Sequence, residues 1–191
     1  MAKLHFKYGA MNSGKSDSLI KTAYNYEERG LNIVVIKPRV DTKSTQSIVA
    51  RGGHRREADI LSDTATNFAS SIQAFGDISC VLVDETQFLT EKQISELYLV
   101  AKSYDISVIC YGLRTDFQTK LFPGSQRLIE LADNIEKLPT MCTCGSQAEF
   151  NTRKINGNYT FKGAQVAIDG KESVEYDSLC GKCYMQRGGK I

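Results

Sequence analysis

No apolar run in this sequence approaches the length of a membrane span. The opening Met1-Ala2-Lys3-Leu4-His5 lacks the apolar core of a secretion signal, so a cytoplasmic location is expected. Nor is one charge in surplus: the net charge of +2 does not by itself argue for a nucleic-acid partner. Cysteine is sparse until the last third, where four of the six residues form two close pairs. In a cytoplasmic chain that pattern points to metal rather than disulfides. A hydrophobic content of 41% is globular rather than disordered, and 191 residues suffice for one sizeable core plus a small appendage.

Near the start, Gly9-Ala10-Met11-Asn12-Ser13-Gly14-Lys15-Ser16 has the full G-x-x-x-x-G-K-[ST] spacing of a phosphate-binding loop. The alternating run Lys3 to Tyr8 predicts a strand before it, and Asp17 to Arg29 a helix after it. Glycines let the backbone turn so that successive N–H groups face phosphate oxygens, and the helix N-terminus adds its positive end. Lys15 is placed to reach the outer phosphates and Ser16 to hold Mg²⁺. The alternative is a glycine-bearing turn that binds nothing; the spacing and both flanks argue against it.

Gly30 marks the helix end, and Asn32 to Ile36 reads as a strand buried on both faces of a parallel sheet. Residues 39–59 are polar, with Arg39, Lys43, Arg51, Arg55 and Arg56, and read as a mobile loop that senses phosphates or joins a subunit contact. A short helix is expected within 64–75. Cys80-Val81-Leu82-Val83 then delivers Asp84 and Glu85 at the carboxyl edge of the sheet, where ligands bind in open α/β folds. Asp84 is the candidate Mg²⁺ partner. Glu91 to Tyr104 predicts a helix, Ile106 to Tyr111 a strand, Leu128 to Ala132 a helix and Ile135 to Leu138 a last strand. Phe117 and Phe122 stand in a polar loop without helical or strand register; they cap the core or pack on a flat base.

Cys142-Thr143-Cys144 and Cys180-Gly181-Lys182-Cys183 have the ligand logic of a tetrahedral zinc site; four thiolates leave no open position, so the metal is expected to be structural. Between them lie a hairpin about Asn156-Gly157, a strand-like Gln165 to Ile168 and a turn at Asp169-Gly170. This is a polar loop tied at both ends by one metal. Cys80 and Cys110 read as inert core thiols. The expected fold is α/β: a mostly parallel, P-loop NTPase-like sheet flanked by helices over residues 1–138, with a small Cys₄ zinc-ribbon or lasso domain over 139–191.

No Asn-Lys-x-Asp guanine-reading motif is evident, and the chain is short for a motor or transporter ATPase, which leaves small-molecule kinases. Such an enzyme needs a group that accepts or orients the proton of the attacking hydroxyl. Glu85 is the candidate; a surface carboxylate or second metal partner is the alternative.

Gly9 to Ser16, Val83-Asp84-Glu85-Thr86-Gln87-Phe88, Tyr111-Gly112-Leu113-Arg114-Thr115-Asp116-Phe117 and the Cys₄ ending, in this order along the chain, resemble the type II thymidine kinases of many bacteria and of the animal cytosol. The resemblance implies ATP-dependent phosphorylation of the thymidine 5′-hydroxyl. It implies ATP on Gly9 to Ser16, a Mg²⁺-linked Asp at Asp84, the catalytic base at Glu85, and Gln87 in the same nucleotide-binding segment. It places Phe88, Leu113, Phe117 and Phe122 around the thymine, with the lasso backbone of Gln165, Val166, Ala167 and Ile168 on the base. Tyr176 falls on the substrate side, and zinc on Cys142, Cys144, Cys180 and Cys183. A cytoplasmic homotetramer inhibited by dTTP is implied, with neither nucleic acid nor membrane as partner. Two departures stand out: Lys43 where many members carry Arg, and an Ile168 to Tyr176 stretch longer than the expected Ile-Gly-Gly turn. A reading of another class is a P-loop ATPase switch whose zinc ribbon binds nucleic acid. Such a ribbon should be one-sided in charge, whereas Arg153, Lys154 and Lys171 interleave with Glu149, Asp169 and Glu172.

Overall fold

A computed structural model describes residues 1–39, 46–165 and 173–191. Lys43, Val166, Ala167, Ile168 and the Asp169-Gly170 turn lie outside the described residues. Six parallel strands form the central sheet: β1 (Leu4–Tyr8), β2 (Ile33–Pro38), β5 (Ile60–Ser62), β6 (Cys80–Val83), β7 (Ser107–Gly112) and β8 (Asn134–Lys137). Their order is β5-β2-β6-β7-β1-β8. The continuous Val/Ile/Leu runs follow from burial on both faces.

Alternation along the strands divides the core into two layers. Leu4, Phe6, Val34, Ile36, Val81, Val83, Val108 and Cys110 face helices α2 (Phe68–Gln73), α3 (Glu91–Ser103) and α4 (Pro123–Leu131), meeting Phe68, Ile72, Ile94, Leu97, Val100 and Leu128. Val35, Cys80, Leu82 and Tyr111 face the other way, onto Leu19 and Ala23 of α1 (Lys15–Glu27). Each fully buried Val, Leu, Ile or Phe contributes about 1.5–3 kcal/mol to this core. Burial also pushes the Cys80 thiol up to about 11 and the Cys110 thiol higher still, consistent with inert core cysteines.

The stretch expected to be a mobile loop instead contains an antiparallel hairpin, β3 (Ser47–Val49) with β4 (Arg55–Glu57), followed by the edge strand β5. Its polarity hides three apolar anchors, Ile48, Ala50 and Ala58, all buried. Arg56 ties the hairpin to Glu27 at 3.1 Å and to Asp59 at 3.4 Å. Helix α4 begins five residues before the expected Leu128, because Pro123 occupies its first turn, where a missing N–H is harmless. In α3, Thr90 and Gln93 form a reciprocal capping box.

A second, antiparallel sheet has the order β10-β9-β11, with β9 (Phe150–Ile155), β10 (Asn158–Thr160) and β11 (Val174–Leu179), and precedes helix α5 (Gly181–Gln186). Its small core holds Ala148, Leu179 and Tyr184 beside Cys142, Cys180 and Cys183, with Phe150 and Phe161 against them. The expected Asn156-Gly157 hairpin is there; β11 and α5 carried no clear sequence signal, being polar or short.

Candidate active site

Strands β6, β7 and β1 are adjacent, so their carboxyl ends bring three loops together: the acidic tip after β6, the Leu113 segment after β7 and the glycine-rich loop after β1. In the last of these, Asn12 (φ 69) and Gly14 (φ 72) adopt the left-handed conformation that reverses the chain into α1. Lys15 is 9% exposed and folds over the loop, donating to the Ala10 carbonyl at 3.0 Å and to Ser13 Oγ at 3.3 Å. Burial pulls its pKa down, against the charges of Glu85 and Asp84, which raise it. Met11 to Asp17 line an open cleft of about 610 Å³. Val49 to Gly52 and His54 of the hairpin form its far wall, where His54 Nδ1 lies 3.0 Å from Asp17 Oδ1. Gly9 and Ala10 lie behind the cleft; the Gly9 N–H donates to the Gly112 carbonyl at 3.3 Å.

Asp84 is buried, and Ser16 Oγ donates to its Oδ2 at 3.4 Å. Desolvation, reinforced by the neighbouring Glu85 charge, raises its pKa to about 7. A buried carboxylate beside a hydroxyl offers oxygen ligands to a divalent cation, whose charge would offset that desolvation. Glu85 follows with φ 50 and ψ 40, a strained left-handed conformation for a non-glycine residue. The single 3₁₀ turn Thr86–Phe88 holds it there. Gln87 Nε2 donates to Glu85 Oε2, and Gln87 Oε1 accepts the Leu113 N–H at 3.0 Å. Gln87 therefore braces the acid and lies outside the phosphate cleft's walls. Gly112 permits this packing: a Cβ there would lie 2.5 Å from Thr86 Oγ1 and 2.8 Å from Gln87 Oε1.

Beside the cleft is a second cavity of about 230 Å³, lined by Phe88, Leu113, Phe117, Phe122, Gln165 and Tyr176, together with Met11, Glu85, Gln87, Asp116 and Asn151. All the described residues expected around a nucleoside base meet here. Phe88 and Phe122 pack edge to face, with centroids 5.8 Å apart. Met11, Glu85 and Leu113 line both cavities, so the Glu85 carboxylate sits at their junction.

Asp116 and Asn151 of this wall, and Arg153 behind it, are not among the expected site residues. Asp116 Oδ1 accepts the N–H groups of Gln118 (2.8 Å) and Lys120 (2.9 Å), a side-chain turn that fixes the Phe117 loop. Arg153, 3% exposed, lays its guanidinium 3.8 Å over the Phe117 ring. It also donates to the carbonyls of Lys162 (2.7 Å) and Ala164 (2.9 Å), at the start of the lasso. Asn151 bonds both Met11 and Thr115. These are contacts across long sequence separations between polar residues in unremarkable surroundings. The Asp116 turn alone had a local signal.

The four expected zinc ligands also converge: the Sγ atoms of Cys142, Cys144, Cys180 and Cys183 all lie within 4.8 Å of one another, unbridged by disulfides. Tetrahedral zinc with sulfur at about 2.3 Å requires sulfurs about 3.8 Å apart, and Cys144 and Cys180 are 3.6 Å apart. Hydrogen bonds from Ser146, the backbone N–H first, hold the Cys144 thiol down at about 6, whereas those to Cys144 and Cys180 push the Cys183 thiol up, so the four sulfurs share their protons unevenly without a cation among them. The set fits a structural zinc ion. Among the described residues, no helix is long and apolar enough to cross a membrane.

Comparison with known proteins agrees along the length of the chain. The family model described as thymidine kinase matches residues 2–184. The thymidine kinase of Shewanella oneidensis is 42% identical over 190 residues, covering 97% of this chain and 98% of the relative. That of Enterobacteria phage T4 is 43% identical over 195 residues, covering both chains completely. The Pif1 helicase of Candida albicans overlaps 72% of this chain and 36% of its own, with a TM-score of 0.44 at 14% identity, a far looser likeness. With a family match over nearly its whole length and full-length relatives above 40% identity, the chain belongs to the thymidine kinase family, whose members are phosphotransferases.

Proposed function

We propose that this protein transfers the γ-phosphoryl group of ATP to the 5′-hydroxyl of thymidine, with Glu85 as the general base. The observation that carries this reading is the Glu85 carboxylate, shared by a phosphate-binding cleft and an aromatic-walled cavity. ATP lies with its phosphates on Met11 to Ser16. Bound with ATP, Mg²⁺ neutralises phosphate charge; Ser16 and Asp84 are the residues that would hold it. Lys15 stabilises charge on the moving phosphoryl group. The cavity, at about 230 Å³, is below the roughly 300–1,000 Å³ of drug-sized sites, which suits a single-ring base and its sugar. Phe88, Phe117 and Phe122 enclose the base and exclude water. Gln165 lines the cavity and is held there by its Nε2 donating to the Leu121 carbonyl at 3.3 Å. With the sugar at the junction, Glu85, braced by Gln87, takes the hydroxyl proton as the oxygen attacks. The products are thymidine monophosphate and ADP, a step in nucleoside salvage. Structural zinc on the four cysteines fixes the small sheet.

The same junction gives dTTP a route to inhibition, since its base can occupy one cavity while its phosphates reach the other. Homotetramer assembly and a cytoplasmic location remain part of the reading. In the ribbon Lys154 pairs with Asp177 at 3.7 Å, and Glu149 meets Lys137 of β8 in the central sheet, so acids and bases are mixed there, unlike a nucleic-acid surface. The test is transfer from labelled ATP to a nucleoside panel by purified protein, with zinc measured on the same sample. Thymidine should be phosphorylated well ahead of purine nucleosides. ATP hydrolysis indifferent to every nucleoside would contradict the reading.

A further inference from the structure

Asn151 is the second residue of β9, in register with Ser178 of β11, the strand that leads into Cys180. It is 4% exposed, and both ends of its amide are engaged with distant backbone. Oδ1 accepts the Met11 N–H at 2.8 Å, and Nδ2 donates to the Thr115 carbonyl at 2.7 Å. Met11 belongs to the phosphate loop and lines both cavities. Thr115 directly precedes Asp116 and Phe117, two walls of the nucleoside cavity, which Asn151 itself also lines. A single buried side chain from the metal-tied sheet thus holds one segment of each substrate site. A second link, Thr140 Oγ1 to the Asn12 carbonyl at 3.1 Å, reaches only the phosphate loop and is exposed.

We propose that Asn151 is a positioning residue that locks the phosphate loop and the nucleoside cavity into one register, so that occupancy of either site tightens the other. The proposal rests on reading the aromatic cavity as the nucleoside site. Its physical basis is shared ordering. Ligand in the cavity presses on Asn151 and Phe117, fixing the amide that sets Met11; ligand in the cleft fixes Met11 and, through the same amide, Thr115. Ordering completed for the first ligand need not be repeated for the second, and the coupling is reciprocal. Without the amide, a donor and an acceptor lose their partners and each loop relaxes independently.

The test is calorimetric titration of the full-length, zinc-loaded protein with a non-hydrolysable ATP analogue and Mg²⁺, with and without saturating thymidine. In the wild type, thymidine should tighten the analogue by about fivefold or more. Asn151→Ala should reduce that factor to below about twofold and weaken thymidine itself about tenfold, with zinc content unchanged. Asn151→Asp, at a pH where it is ionised, keeps the acceptor for Met11 but loses the donor to Thr115. It should bind the analogue alone nearly as the wild type does, yet lose the coupling. Coupling retained in Asn151→Ala, or absent from the wild type, overturns the proposal. A wild type that binds the analogue but no thymidine sinks the nucleoside reading as well, and so is distinguishable. Should Asn151→Ala fail to fold, hydrogen exchange on the wild type decides: the analogue alone should protect residues 115–118 and 150–152, which lie outside the cleft. Unchanged exchange there contradicts the coupling.

Discussion

The two halves of the site are built differently. The phosphate side comes from short stretches at strand ends: Gly9 to Ser16 after β1, and Asp84-Glu85 after β6. The nucleoside side is assembled from separate parts of the chain. Phe88, the loop carrying Phe117 and Phe122, Asn151 and Tyr176 arrive on four segments, and Arg153 holds Phe117 and the lasso from behind. A site made from local turns depends on a few backbone conformations; one made from remote contacts depends on the whole assembly, here including a metal-tied sheet. Substitutions should therefore divide cleanly, with phosphate-side changes acting on turnover and nucleoside-side changes on substrate affinity.

Glu85, at the seam, should show the largest effect. Glu85→Gln should lower kcat by about 10²–10⁴ while ATP and thymidine still bind, read by steady-state rates and titration. A change in affinity alone would place Glu85 on one side of the divide rather than between the two. Stripping zinc with a chelator under reducing conditions should abolish thymidine binding and melt the small sheet at a lower temperature. Added zinc should restore both, as followed by circular dichroism and titration. Arg153→Met should raise the thymidine KM about tenfold, since two hydrogen bonds to the lasso are lost, and leave the ATP KM nearly unchanged. Equal effects on both substrates would break the division.

Asp84 gives a pH signature on the phosphate side. Its carboxyl is raised to about 7 in the folded chain, against about 3.9 when unfolded. Between these values the folded form binds the extra proton, so this group's contribution to stability falls as pH rises from about 4 to about 7. Melting temperatures of ligand-free protein across that window should show the decline, and Asp84→Asn should flatten it. The smallest effect is expected at the cleft's far wall: His54→Ala removes an exposed contact to Asp17 and should change the ATP KM by no more than about twofold.

The same contrast explains what was legible in the sequence. Turns such as Gly9 to Ser16 and buried runs such as Cys80 to Val83 are written in adjacent residues, so the central sheet and phosphate loop could be read directly. The hairpin at β3 and β4 could not, because one buried Ile48 and two buried alanines are diluted among arginines and serines. Pro123 opens α4 at a position where proline reads equally as a loop breaker. The nucleoside cavity's aromatics were named through the family resemblance, and their pattern alone left core-capping open. Asn151 and Arg153 escape a reading of the sequence because their roles depend on partners elsewhere in the fold: Asn151 is 140 residues from Met11 and 36 from Thr115.

The central claim is that both cavities are halves of one reaction site meeting at Glu85. It is tested most directly by initial-rate inhibition with a compound joining the thymidine 5′-oxygen to adenosine through a phosphate chain. Such a compound should compete with both ATP and thymidine, and bind more tightly than either, because the second half binds intramolecularly. Competition with one substrate and indifference to the other would mean that the two cavities are separate sites.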